Sequence, residues 1–276
     1  MKHIKHYAII LSCLLSIGCV STTNMGTTGA ERKQFTMIPE KSFTSKSERS
    51  YNKFVEKQKD NQVLVKDPKL TKVLTNLSSQ TDIYRTSSKK WKWEINGNLN
   101  GDLNAYGFPG GKIIINTGLY WKLNLTEDEL AFVIAHEMAH ALRDHSREKA
   151  SMLLAGNVAM LTASAGLGVV ASVATTVSTQ SAYIPKAWLH EAEADSLGLE
   201  IMARSGYNPD AALTFWEKFQ KESDRRKQYN VKPAMSDEIY TQRVENIKRL
   251  LPTMQEKYFE VLERKENTSS SASKVS

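Results

Sequence analysis

Cysteine is nearly missing from this 276-residue chain: the only two, Cys13 and Cys19, both lie in the first nineteen residues. The remainder can form no disulfide, even in a compartment that permits them. Long apolar runs are equally scarce. Only the extreme N-terminus and residues 151–178 are apolar enough to consider, which excludes a polytopic membrane protein. Nor does charge of one sign gather anywhere. The formal charge is +7, from 37 basic and 30 acidic residues. The basic residues are scattered and not interleaved with aromatics, so nucleic acid is not an expected partner; a mildly basic surface beside anionic lipid fits as well. There is no internal repeat. What is present is an ordinary globular composition, 41% hydrophobic and 24% charged, which excludes a fibrous or wholly disordered chain. The length suits one domain with appendages or two small ones.

The N-terminus reads as an address. Lys2 and Lys5 precede an apolar run from Tyr7 to Ile17, too short to span a bilayer, and Gly18 precedes Cys19. Leu15-Ser16-Ile17-Gly18-Cys19 resembles a bacterial lipobox, although Ser16 stands where leucine is usual. The resemblance implies cleavage after residue 18 and a lipidated Cys19 that attaches the chain to a membrane. Val20, in place of aspartate, resembles the sorting signal of outer-membrane lipoproteins facing the periplasm. The expected layout is a signal peptide over 1–18, a Ser/Thr/Gly/Lys-rich flexible tether over 19–46, one domain over 47–265 and a disordered Ser-rich tail over 266–276.

Within the domain, residues 47–60 are expected to be helical, and Asp67-Pro68 opens a helix carrying Leu70, Val73, Leu74 and Leu77 at helical spacing. Trp91, Trp93 and Ile95 alternate as in a strand, a second extended stretch lies near Leu103–Tyr106, and Lys112–Asn116 reads as a third strand after Pro109-Gly110-Gly111. Thr126-Glu127-Asp128-Glu129 is a capping box for a helix reaching about Arg143. Further helices are expected over about Ala187–Arg204, from Pro209 with the stripe Ala212, Phe215, Trp216 and Phe219, and over Asp237–Leu251.

His136-Glu137-Met138-Ala139-His140 falls on the capped helix, so the two histidines share one face and can reach a single ion. Imidazole suits zinc, and Glu137 is one residue from the first ligand, where it can reach a water at an open fourth position. Leu130, Val133, Ile134 and Ala141 form the buried stripe of that helix. The third ligand should be a carboxylate or histidine from another element, and the best candidates lie in Glu191-Ala192-Glu193-Ala194-Asp195. Here i and i+4 again share a face, placing Asp195 to support a ligand histidine. Glu193 reads as a solvated charge, as do His145 and His190 as solvent-facing histidines.

His-Glu-Met-Ala-His followed by Glu-Ala-Glu-Ala-Asp, with Asn104-Ala105-Tyr106 and Pro109-Gly110-Gly111 ahead of a strand, resembles the gluzincin zinc metallopeptidases. That family includes HtpX, the CAAX prenyl proteases, the mitochondrial Oma-type protease and the periplasmic LoiP and BepA. The resemblance covers about Val63 to Leu250. It implies an α+β fold, mainly helical, with a small antiparallel sheet packed on the metal helix. It also implies one Zn2+ held by His136, His140 and Glu191, with Glu137 as the catalytic base. Polypeptides, among them unfolded envelope proteins, are the implied substrates. It further implies that the strand Lys112-Ile113-Ile114-Ile115-Asn116 is an edge beside the metal, able to take an extended substrate. One departure concerns the last helix. The family's His-Pro six residues before an arginine is replaced by Asp237-Glu238 before Arg243, and no histidine follows His190. Arg243 remains a candidate for electrophilic assistance. Asp237 either caps its helix, being a preferred N-cap residue, or approaches the metal as an inhibitory ligand. Two other functions compete with a metallopeptidase: a binding module that keeps zinc for structure, and a zinc hydrolase of lipid or peptidoglycan. The segment 151–178, between the two halves of the motif, reads as a helix over the cleft or on the membrane surface rather than a span.

Overall fold

The computed structural model describes residues 19–29, 32–167, 188–229, 231 and 235–272. The leader and the part of 151–178 beyond 167 lie outside the described residues.

The first two strands are short: β1 (Cys19–Val20) pairs antiparallel with β2 (Gln34–Phe35). Helix α1 (Glu40–Asp60) follows, then β3 (Leu64–Val65) and α2 (Pro68–Ser78). Asp67 caps α2 by accepting the Lys69 N–H at 2.8 Å, and all four leucine and valine positions of its stripe are buried. Strands β4 (Glu94–Asn98), β5 (Ala105–Phe108) and β6 (Lys112–Asn116) complete a four-stranded sheet in the order β3-β4-β6-β5. The sheet is mixed rather than antiparallel. β5 and β6 form a hairpin, but β6 inserts between β5 and β4 and runs parallel to β4. Ile113 and Ile115 enter the main core while Ile114, also fully buried, faces the other side. Lys112–Asn116 is therefore an interior strand, paired on both sides, and not the expected edge; the edge strand beside it is β5.

After a short turn α3 (Thr117–Tyr120), the capping box starts α4 (Glu127–Leu142) as read from the sequence. The Glu129 N–H donates to Thr126 Oγ1 at 3.2 Å, and the Thr126 N–H donates to the Glu129 carboxylate at 2.8 Å. This helix is buried on nearly every side, as expected for one at the centre of a fold. Then come α5 (His145–Leu167), α6 (residues 188–204), α7 (Ala211–Lys227) and α8 (Asp237–Ala272). The architecture is α+β and mainly helical. Among the described residues no helix is long and apolar enough to cross a membrane.

Two boundaries differ from the composition-based expectation. Residues 266–272 continue α8, where Thr268 and Ser269 hydroxyls close on the carbonyls four residues back. The described part of 19–46 is packed on the domain rather than loose. Arg143, Glu148 and Glu200 are fully buried and take their partners from it. Glu200 accepts the N–H groups of Thr27 and Thr28, both at 3.0 Å. Arg32 forks onto Glu148 at 2.8 and 2.7 Å. Arg143 donates to Thr23 Oγ1 and to the Arg32 carbonyl. A polar composition here satisfies buried charges, which would otherwise be costly.

Candidate metal centre

His136 and His140, one turn apart on α4, point their Nε2 atoms at each other across 3.0 Å. Glu191, at the start of α6, brings one carboxylate oxygen to 3.4 Å from His136 Nε2 and the other to 3.4 Å from His140 Nε2. A tetrahedral ion bound at about 2.0–2.1 Å from imidazole nitrogen needs donors roughly 3.3 Å apart. The three side chains fit one ion, with every donor atom within 4.8 Å of the others.

Each histidine is oriented from behind. His136 Nδ1 lies 2.9 Å from Asp195 Oδ1. Asp195 in turn accepts two bonds from Arg243, both at 2.7 Å. Arg243 also reaches Glu191 at 2.9 Å and lies 4.5 Å over the Trp216 ring. Burial alone would lower the pKa of His136, but its bonds to Asp195 and Glu191 push it up to about 9, so this ring gives up a proton on taking a metal ion. Burial, aided by the charges of His136 and Arg243, pushes His140 down to about 3 and leaves it a bare imidazole at neutral pH. Burial acts to raise Glu191 and Asp195, yet the histidines and Arg243 hold both below the ordinary carboxylate range.

Glu137 borders a cavity of 620 Å³ with both histidines and Glu191. Its carboxyl is pushed up by burial, with the charge of Glu191 adding to the effect. The far wall is apolar, built by Phe132, Phe215, Phe219, Met235 and Ile239, and the near edge is β5. Gly107 lets β5 approach this closely: a Cβ there would stand 2.6 Å from the Glu137 carbonyl oxygen.

His136, Glu137, His140, Glu191, Asp195 and Arg243 thus converge, whereas three other sequence-marked elements do not. Lys112–Asn116 is separated from the cavity by β5. Asp237 is neither cap nor metal ligand. Its exposed carboxylate pairs with Lys227 at 2.8 Å, while Ser236 Oγ accepts the Ile239 N–H and serves as the cap. Cys19 belongs to β1, away from the cavity.

The expectation of solvated His145, His190 and Glu193 is corrected, since all three are buried. His145 Nδ1 is 2.9 Å from His140 Nδ1, and its Nε2 is 3.0 Å from Glu193. His190 stacks on His145 at 4.4 Å and bonds Glu148 at 2.9 Å. On a continuous helix residue 145 would leave the face of residue 140. Asp144 instead takes a left-handed backbone (φ 52°) that ends α4 and turns the chain back. The sequence signal was an Asp at a helix end followed by a histidine, which is weak.

Comparison with known proteins agrees with this geometry. The model of peptidase family M48 matches residues 65–260. The beta-barrel assembly-enhancing protease of Escherichia coli (strain K12) is 28% identical over 165 residues, which is 56% of this chain and 34% of that protein. Mitochondrial metalloendopeptidase OMA1 of Schizosaccharomyces pombe is 33% identical over 127 residues, 46% of this chain and 37% of its own length. OMA1 of Saccharomyces cerevisiae is 28% identical over 179 residues, 61% of this chain and 49% of its own. The chain spans between about a third and a half of the length of these relatives. The family match encloses the whole metal centre, from the sheet through Arg243, and the chain belongs to peptidase family M48.

Proposed function

We propose that this chain is a zinc-dependent metalloendopeptidase, held at a bacterial outer membrane through a lipidated Cys19 and cleaving misfolded or misassembled envelope proteins. The observation that carries the reading is the convergence of His136, His140 and Glu191 on one point beside Glu137. When bound by these three side chains, Zn2+ polarises a carbonyl and makes water a competent nucleophile near neutral pH.

The chain's own residues supply the rest. Glu137 takes the proton of the attacking water and delivers it to the leaving amine. A carboxyl whose pKa is raised by burial suits a group that must give its proton back. Asp195 fixes the tautomer and ring angle of His136. Arg243, always charged, borders the cavity and assists where negative charge develops on the carbonyl oxygen. The edge strand β5 offers main-chain groups to an extended substrate, a mode indifferent to side-chain identity. Beyond it, the apolar wall of Phe132, Phe215 and Phe219 suits the apolar residues that unfolded chains expose. The names of the relatives, an assembly-enhancing protease and a metalloendopeptidase, support a polypeptide substrate.

The test is digestion of casein by the zinc-loaded protein, with and without o-phenanthroline. Cleavage abolished by the chelator is expected; no cleavage of any polypeptide would sink the reading. Proteomic comparison of wild type with Glu137→Gln then identifies natural substrates.

A further inference from the structure

His136 has a carboxylate directly behind it. His140 has none, and the residue behind it is another histidine. Glu193 closes that second chain. It is a carboxylate and only accepts, and it is held by Arg32 at 2.7 Å and Arg143 at 3.2 Å as well as by His145. His145 Nε2 must therefore carry the hydrogen it gives to Glu193. In the neutral ring, its Nδ1 is then bare and accepts from His140 Nδ1–H across 2.9 Å. This leaves His140 Nε2 as a lone pair aimed at His136 Nε2 and Glu191. Residues 191, 193 and 195 of one helix thus divide the work: a ligand, the relay to His140, and the partner of His136.

We propose that His145 is the positioning residue of His140, that Glu193 fixes its tautomer, and that Arg32 of the N-terminal segment locks this relay from outside. The proposal rests on the metal-site reading above and adds that the segment following Cys19 is part of the metal centre's support. Arg32 bridges Glu193 to Glu148, and Gln34 and Phe35 bind Glu148 as well. The order of the relay predicts a gradient of effects, largest at His145 and smaller at Arg32.

The experiment measures zinc dissociation constants of the full chain by chelator competition, together with the visible spectrum of the Co2+-substituted protein. His145→Phe keeps the ring stacked on His190 but removes both bonds; zinc binding should weaken by about 10- to 100-fold, with a changed Co2+ spectrum. His145→Asn offers an amide oxygen to His140 and should recover part of the loss. Arg32→Gln should weaken binding less than His145→Phe does. His190→Phe is the control for packing: it lies at the same depth and in the same stack, makes no bond to a ligand and touches the relay only through Glu148, so its loss should not exceed that of Arg32→Gln. Wild-type zinc affinity and Co2+ spectrum in His145→Phe overturn the relay, as does an equal loss in His190→Phe, which would mark packing alone. If His145→Phe fails to fold, His145→Leu decides in its place. It removes both ring nitrogens at a smaller size, and wild-type zinc affinity there overturns the proposal. Failure of the wild-type chain itself to hold zinc is a separate result and overturns the metal-site reading.

Discussion

Gly198 of α6 lies directly against the backbone of His136: a Cβ added to it would stand 2.9 Å from the His136 amide nitrogen and 3.0 Å from the His136 Cα. The two helices that carry the ligands cross at this contact. The crossing brings Glu191 and Asp195, on either side of the ligand pair, to 3.4 and 2.9 Å from His136. Glycine inside a helix costs about 1 kcal/mol relative to alanine, so propensity alone favours replacement. The contact atoms are backbone and cannot swing away, and overpacking of this kind costs about 1–3 kcal/mol. Gly198→Ala should therefore lower the melting temperature and weaken zinc binding together. A variant that melts higher and binds zinc as before would show that the crossing has slack.

Glu137→Gln removes a base and spares every ligand. Zinc content should stay near one per chain, while proteolysis falls by about 10²- to 10⁴-fold. Activity near wild type would remove Glu137 from the mechanism.

These expectations were legible where the chemistry is local. Thr126 and Glu129 announce a helix start, and the periodicity of Leu130, Val133 and Ile134 fixes which face is inside. The four-residue spacings of His136 with His140 and of Glu191 with Asp195 need only helical geometry. What stayed hidden depends on chain reversals. His145 returns to the site through one left-handed residue, Asp144. Lys112–Asn116 follows β5 in sequence yet lies inside it in the sheet, so the roles of edge and centre are exchanged. Glu193, off the face of Glu191, reads as surface until Arg32 and Arg143 are seen to meet it. The segment 19–46 has the composition of a linker because its polar groups serve buried charges across the domain.

Acid should release that segment first. Burial acts to raise the pKa of Glu148, but bonds from Arg32 and His190 outweigh it and hold the carboxylate far below its ordinary value of 4.5. The unfolded chain therefore binds this proton more readily than the folded one. The stabilisation is complete above about pH 4.5 and is lost as pH falls toward the folded value. Glu200, bound by Thr27 and Thr28, behaves the same way. Thermal melts between pH 3 and 7 should show a steep acid limb that Glu148→Gln flattens while lowering stability at pH 7. An unchanged limb would place the acid-sensitive groups elsewhere.

Cys19→Ala should move the protein from membranes to a soluble fraction with proteolysis intact. In the proposed lipidated form, the β1–β2 pairing, with Cys19 opposite Phe35, would leave little slack between anchor and domain and hold the domain close to the bilayer. Persistence of the variant on membranes after a carbonate wash would transfer the anchoring role to residues 151–178.

Arg243 is the fixed positive charge that meets both Asp195 and Glu191. Its guanidinium cannot be deprotonated, and it satisfies Asp195 twice and Glu191 once. Arg243→Ala leaves the buried Asp195 and the half-exposed Glu191 without their shared cation. Removing one partner of a buried pair costs about 3–5 kcal/mol. A divalent ion supplies positive charge at Glu191 but not at the outer oxygen of Asp195. Zinc should therefore offset part of the loss, and the melting temperature should fall more in the metal-free protein than in the zinc-loaded one. Arg243→Lys provides a point charge without the fork, so it should fall between wild type and Arg243→Ala in both states. Catalysis separates charge balance from transition-state assistance. If Arg243 meets the developing oxyanion, kcat of the zinc-loaded variants falls while KM changes little. Equal losses of melting temperature with and without zinc would exclude the charge-balance role, and an unchanged kcat would exclude the assistance.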